Sequence, residues 1–248
     1  MQKPSPTHRT LTAAALTLAL TGLLAACGGG GGGGTSGPTI DPTQLQGRWV
    51  TAAGVTPAMT TIVVPDATGT ASAWLLAQDA SRLVKLVVRS DSSANGKSYA
   101  LGQGNVAGQA VTGQVTTALA ASPKSISFTG VNAAALALTQ SDTLSTPAVQ
   151  AEAAGTWSAS SGGSAQSMQW SIGATGVVVG NSTTGCTYAG SVAAIASTAA
   201  YSVNFNESCP DGARTAFSGV ATLNGARNGL TVVATSADEA KGAVVFFS

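Results

Sequence analysis

Residues 82–89, Arg-Leu-Val-Lys-Leu-Val-Val-Arg, put Val84, Leu86 and Val88 on one side of an extended chain and Lys85 and Arg89 on the other. That period of two belongs to a half-buried strand, and it recurs along most of the sequence. The same reading places strands at 46–50, 60–64, 71–76, 98–101, 111–119 and 124–131, while 133–138 fits either a strand or a short helix. Later it places them at 168–172, 177–179, 186–195, 201–206, 215–223, 230–235 and 243–247. Turn chemistry separates them: 90–97 with Asn95-Gly96, Cys209-Pro210-Asp211-Gly212, Asn224-Gly225 and Asn228-Gly229. Short strands every ten residues or so, with turns between, predict an antiparallel meander. The fold class is all-β, as two small meander domains, each barrel- or sandwich-like.

Composition narrows the function. Charged residues make up 8% of the chain and aromatics 5%, and 11 Lys and Arg face 10 Asp and Glu. There is no basic footprint for nucleic acid. A β-protein so poor in charge has little to keep its strand edges from pairing with other chains. Closure of each sheet into a barrel or sandwich is the best remedy.

Thr143 to Ala154 holds Pro147 and Ala-rich runs without alternation and reads as a linker. The first domain is then 41–142 and the second 155–248. Gly47-Arg48-Trp49 and Gly155-Thr156-Trp157 share one form and each opens a β-rich segment of about 95 residues, a weak internal repeat. Trp74 and Trp170 follow at different distances, so any relation between the halves is loose.

Ahead of the β body, Met1 to Thr10 carries Lys3, His8 and Arg9 with no acid, and Leu11 to Ala26 carries no charge. A basic start, an apolar run and small residues before a cut form a secretory signal. The run is about 16 residues, short of the ~20 that span a bilayer core. Leu24-Ala25-Ala26-Cys27 resembles the lipobox of bacterial lipoproteins. The resemblance implies that 1–26 is removed, that Cys27 becomes the first residue, and that its thiol takes a diacylglycerol and its freed amine an acyl chain such as palmitate. Several chains on one residue give a stable membrane anchor where one would not. Gly28, where an Asp would resemble an inner-membrane retention signal, implies the outer membrane. Residues 27–40, with the tract Gly28 to Gly34, then form a flexible tether. Ten Gly-rich residues reach roughly 16–19 Å.

Export to an oxidising compartment favours pairing the two remaining cysteines, Cys186 with Cys209. The second half, with Gly155-Thr156-Trp157, Gly185 to Gly190, Tyr201 and Cys209, also resembles paired-cysteine β-domains of proteobacterial lipoproteins, which bring no known activity with them.

The one histidine, His8, lies in the signal. A Ser-His-Asp triad and a His metal site are therefore excluded from the body, and no cofactor or metal is expected. A glycosidase needs two facing carboxylates, but Glu207, Asp211, Asp238 and Glu239 sit in turns where carboxylates serve as turn formers. Asp66 and Asp79 lack the company of a calcium loop, and Gly102, Gly104 and Gly108 lack the spacing of a phosphate loop. The two Gly-x-Trp openings resemble those of lipocalin and calycin barrels, in which the Trp closes the barrel floor beneath a basic residue of the last strand. Lys241 is a loose partner for Trp157, Trp49 has none evident, and both rings serve equally as core anchors of two small sheets. The reading is a lipid-anchored envelope protein, not an enzyme, acting as a structural or adhesive module toward a protein or glycan partner. The alternative is a small barrel carrying a lipophilic ligand, with small inward residues such as Gly219 and Ala221 leaving room; a carboxylate hydrolase ranks third.

Overall fold

Sixteen strands run through the residues that the computed structural model describes, which are 39–102, 107–142, 146–160 and 167–248. The signal, Cys27 and the glycine tract lie outside the described residues. The strands are β1 (Gly47–Val50), β2 (Met59–Pro65), β3 (Ala71–Ala77), β4 (Arg82–Val88), β5 (Ser93–Ala100), β6 (Gln109–Ala118), β7 (Ser125–Phe128) and β8 (Leu136–Ser141). A short helix, α1 (Gln150–Ala153), leads to β9 (Gly155–Ser160), β10 (Ser167–Ile172), β11 (Val177–Ser182), β12 (Thr187–Ala194), β13 (Ala200–Ser208), β14 (Arg214–Leu223), β15 (Leu230–Ser236) and β16 (Gly242–Phe247). The fold is all-β, and 133–138, open between strand and helix, leads into β8. Among the described residues no helix is long and apolar enough to cross a membrane.

Each strand pairs antiparallel with the next. The first eight close on themselves, with Arg48, Trp49 and Val50 of β1 opposite Ser141, Gln140 and Thr139 of β8. The last eight form a sheet in sequence order whose two edges almost meet. The seam between β9 and β16 is joined by two backbone bonds, from Ser158 N to Ser248 O (3.0 Å) and from Ser248 N to Ser158 O (2.8 Å). Closure hides strand edges, which a chain of so few charges could not otherwise protect.

Alternation decides what fills each barrel. In the first, Trp49, Val63, Leu75, Leu86, Phe128 and Leu138 belong to one buried cluster. In the second, Trp170 lies within 5.0 Å of both the Phe205 and the Phe247 rings, and Phe205 stacks on Phe217. Gly180 makes room for Trp170: a Cβ there would sit 2.5 Å from its Cδ1. Gly219, which by sequence leaves room for an enclosed ligand, leaves none, because a Cβ there would lie 1.9 Å from the Val233 carbonyl of the neighbouring strand.

Both Gly-x-Trp openings build the same corner. Gly47 (φ 130°) and Gly155 (φ 142°) take a backbone conformation closed to other residues. Each turns the chain out of a short helical segment, Pro42–Leu45 or α1. The indole N–H then reaches back four residues, from Trp49 to Leu45 O (2.8 Å) and from Trp157 to Ala153 O (2.9 Å). Trp74 and Trp170 are not equivalent: the first faces out of its barrel and the second fills the interior.

The hairpin expected at Asn95-Gly96 lies four residues earlier. Arg89 and Ser93 close the turn (Ser92 N to Arg89 O, 3.0 Å), and the Asp91 carboxylate accepts from Ser93 N at 2.9 Å. Asn95 and Gly96 are mid-strand in β5, where the missing Cβ admits the Lys85 carbonyl of β4, 1.9 Å from where it would stand. Of the segment read as a linker, Ala148 to Ala153 are packed down. Gln150 bonds Val192 O and Ala194 N, Tyr201 Oη donates to Val149 O, and Ala153 is fully buried against the second barrel.

The cleft between the barrels as candidate functional site

The two barrels meet through their outer faces within one compact unit. On the first barrel an outward row crosses the strands as Arg48, Ile62, Trp74, Lys85 and Lys97, successive partners in β1 to β5. On the second, Val220, Val233 and Val244 are successive partners in β14 to β16. Val64, Trp74, Leu83, Tyr99, Val220 and Val233 share a buried cluster. Strands β3 and β15 are thus buried on both sides, which is why β3 is apolar apart from Ser72 and why β15 carries Val232, Val233 and Ala234 in one unbroken run.

Polar contacts pin this junction. The β15–β16 hairpin reaches over the first barrel. There Lys85 Nζ meets Glu239 Oε1 at 3.0 Å, and Lys97 Nζ and Tyr99 Oη bond the Glu239 carbonyl at 3.2 and 3.1 Å. Burial, with Glu239 and Asp238 nearby, pushes the Tyr99 hydroxyl up to about 12, so it remains a donor. Lys85 also lies over the Trp74 ring, 5.4 Å from its centre. Elsewhere Gln46 Nε2 donates to the Ser197 carbonyl.

Between these contacts opens a cleft of about 610 Å³. Ile62, Trp74 and Leu76 form one wall, and Val220, Val233 and Phe246 the other. Thr60, Gln78, Thr222 and Asn224 add neutral polar groups, and Arg48 is the one charged residue lining it among the described residues. Past Arg48, Ile62 and Thr222 the cleft runs into a polar recess of about 320 Å³ lined by Gln140, Ser141, Asp142 and Ser197. Arg48 Nη1 donates to Ser141 Oγ at 2.9 Å, and burial lowers the pKa of the guanidinium, which as an arginine stays charged. Trp74 is 5% exposed, and its Nε1–H has no acceptor among the described residues. Phe246 leaves half its surface in water.

The residues singled out in the sequence lie elsewhere. Cys186 and Cys209 form a disulfide, Cα to Cα 4.0 Å, directly beyond the Thr187–Ser208 pair that ends the β12–β13 hairpin. Glu207 lies beside it, but both sulfurs are used by the bond, which leaves no thiolate for a metal. Lys241 donates to Thr215 Oγ1 at 3.4 Å, and the Trp157 indole is held by Ala153 instead. Gly102 takes a positive φ, and Gly108 packs on the Tyr99 ring; Gly104 lies outside the described residues.

Six aspartates make the same local bond. Asp41, Asp66, Asp79, Asp91, Asp211 and Asp238 each accept the backbone N–H two residues on, at 2.8 to 3.1 Å. Hydrogen bonds from neighbouring side-chain hydroxyls and backbone amides hold Asp41, Asp79, Asp91 and Asp238 below the ordinary carboxylate range. Those from Thr68 and Thr70 hold Asp66 at about 2. A general acid needs the opposite shift.

No protein-family model, curated protein or solved structure matches the chain. Sequence reasoning did not reach Arg48 beyond its place as the middle residue of Gly-x-Trp, nor Phe246. The signal in reach was the run of strands apolar on both faces.

Proposed function

We propose that this chain is a lipid-anchored, non-enzymatic binding protein of a bacterial envelope. Cys27 carries its acyl chains at the outer membrane, and the body works through its exterior rather than from inside a barrel. The observation that carries this reading is the placement of space. Large side chains crowd the barrel interiors, and the apolar recess of about 610 Å³ opens between the barrels. The aspartates bound into turns, with lowered pKa values, support a role without acid–base chemistry.

The test is a fatty-acid label in cells making the full chain, followed by envelope fractionation. The native chain is expected to take the label and sediment with outer membranes, and Cys27→Ser to lose both. Label retained by Cys27→Ser overturns the anchor. Turnover of a glycan or ester substrate by the purified protein, lost on replacing a carboxylate, overturns the non-enzymatic reading.

A further inference from the structure

We infer that the cleft between the barrels binds a linear amphiphile with a carboxylate head, its acyl chain lying between the Trp74–Leu76 and Val233–Phe246 walls and its head meeting Arg48. The inference rests on the exterior being the working surface, and not on the lipid anchor.

The shape fits a small ligand: about 610 Å³ lies within the roughly 300–1,000 Å³ of ordinary ligand pockets. The chemistry is graded along one direction. In the cross-strand row Arg48 precedes Ile62 and Trp74, and the row continues to Lys85, which is held by Glu239 and is not among the residues lining the cleft, so the guanidinium stands at the cleft's end of a two-residue apolar stripe whose steps are about 4.8 Å each. Beyond it the lining turns polar, with Gln140, Ser141 and Ser197. An apolar tail with a polar head matches that order, and a wholly apolar or wholly polar molecule does not.

The sign of the charge selects the head. Arg48 disfavours a cationic amphiphile, and among cations a guanidinium is the one best suited by shape and charge to carboxylate oxygens. One arginine suits one negative charge, whereas a phosphate monoester dianion would call for more cations than the cleft provides. Asp142, exposed in the recess, lies beyond Arg48 from the apolar stripe and keeps a second anion away from that side.

The site is also built in advance. Glu239 and Gln46 fasten the two barrels to each other, so the walls need not assemble around the ligand. Phe246, 51% exposed, is among the few large apolar side chains left in water, and a seated acyl chain would cover it.

The experiment uses envelope membranes holding the full chain, exposed to a diazirine-bearing hexadecanoate, irradiated, and mapped by peptide mass spectrometry. Adducts are expected on β2–β3 and β14–β16. Unlabelled dodecanoate should compete at about tenfold lower concentration than dodecanol, the loss expected for one charge-assisted bond. Arg48→Gln should remove that preference and Arg48→Lys keep part of it. Phe246→Ala, a change at an exposed position, should weaken both competitors alike. An unreduced Cys186–Cys209 bond and unchanged proteolysis verify that each variant is folded.

Equal competition by dodecanol overturns the carboxylate head, and adducts scattered outside the cleft overturn the site. Irradiation that links two copies through Phe246 assigns the cleft to a second copy instead. A cleft that takes the probe only in Cys27→Ser assigns it to the chain's own lipid. If the native chain proves to be soluble, the anchor has failed, and the same labelling on the soluble fraction still decides the cleft.

Discussion

In the first barrel β1 returns to β8 through three paired positions, and the interior is largely aliphatic around Trp49 and Phe128. In the second, β9 and β16 share, among the described residues, the two Ser158–Ser248 bonds, and the interior is aromatic, with Trp170, Phe205, Phe217 and Phe247 in contact and a disulfide at one end of the β12–β13 hairpin. The difference teaches that a backbone ladder and a side-chain interior can trade places. A sheet closed by its ladder tolerates a generic aliphatic filling. A sheet with a two-bond seam is held from within, by rings that touch several strands at once, and from its end, by a covalent bond. The Gly-x-Trp corners are the same in both, so the contrast lies in the closure and not in the way the chain enters.

The largest effect should come from the ring that touches both Phe205 and Phe247. Trp170→Ala is expected to cost about 3–5 kcal/mol in urea unfolding. It should also speed hydrogen exchange at the Ser158 and Ser248 amides before the β1–β8 ladder responds. Seam amides that keep their protection would break the idea that the rings hold the seam. Next comes the covalent bond. Replacing Cys186 and Cys209 together by Ser should cost up to about 3.4 kcal/mol by loop-closure entropy. The lost exchange protection should concentrate in β12 and β13; a loss shared evenly by both barrels would mean that the bond steadies the whole body.

Gly47→Ala and Gly155→Ala test the corners, each at about 1–3 kcal/mol for forcing a side chain into positive φ. Similar values sharpen the comparison to closure alone, and a large inequality in unfolding midpoints would show that the corners are not equivalent. Acid gives the smallest effect. Asp66 falls from an unfolded value of 3.8 to about 2 in the folded chain. Its contribution is therefore complete above about pH 4 and fades as pH drops toward 2. Asp41, Asp79 and Asp91 shift the same way beside the first barrel, and Asp238 does so on the second. Solvent screening keeps each contribution small. Amide exchange at pH 3 should rise first in the turns at 66–70, 79–81 and 91–93, and an earlier rise at 236–241 would reverse the assignment.

Most strands were legible because half-buried strands write their period of two into the sequence, as 82–89 and 201–206 do. The turn at 89–92 was not, because Asn95-Gly96 carries a stronger local turn signal than the residues that make the bend. What decides there is the close approach of the Lys85 carbonyl, a contact between strands. Trp74 and Leu76 share one face of the strand by alternation, yet alternation does not say which face looks inward. In β3 the inward residues are Ala71, Ala73, Leu75 and Ala77, and the larger outward pair meets the other barrel. The cleft was hidden for that reason: it exists only where two outer faces come together, and Arg48 gains its setting from Ser141, 93 positions away, and from the second barrel.

The doubly covered β3 also constrains how the polypeptide is made. Meander pairing lets the first barrel close once β8 has been synthesised, but Ile62, Trp74 and Leu83 stay bare until Val220 and Val233 follow. A nascent chain at that stage is a finished barrel with a sticky side, the kind of species that aggregates or recruits a chaperone. Were the chain exported as proposed above, and in an extended form, both halves would be delivered together and that interval would shorten, so the junction that forms the cleft would favour folding after translocation rather than during it.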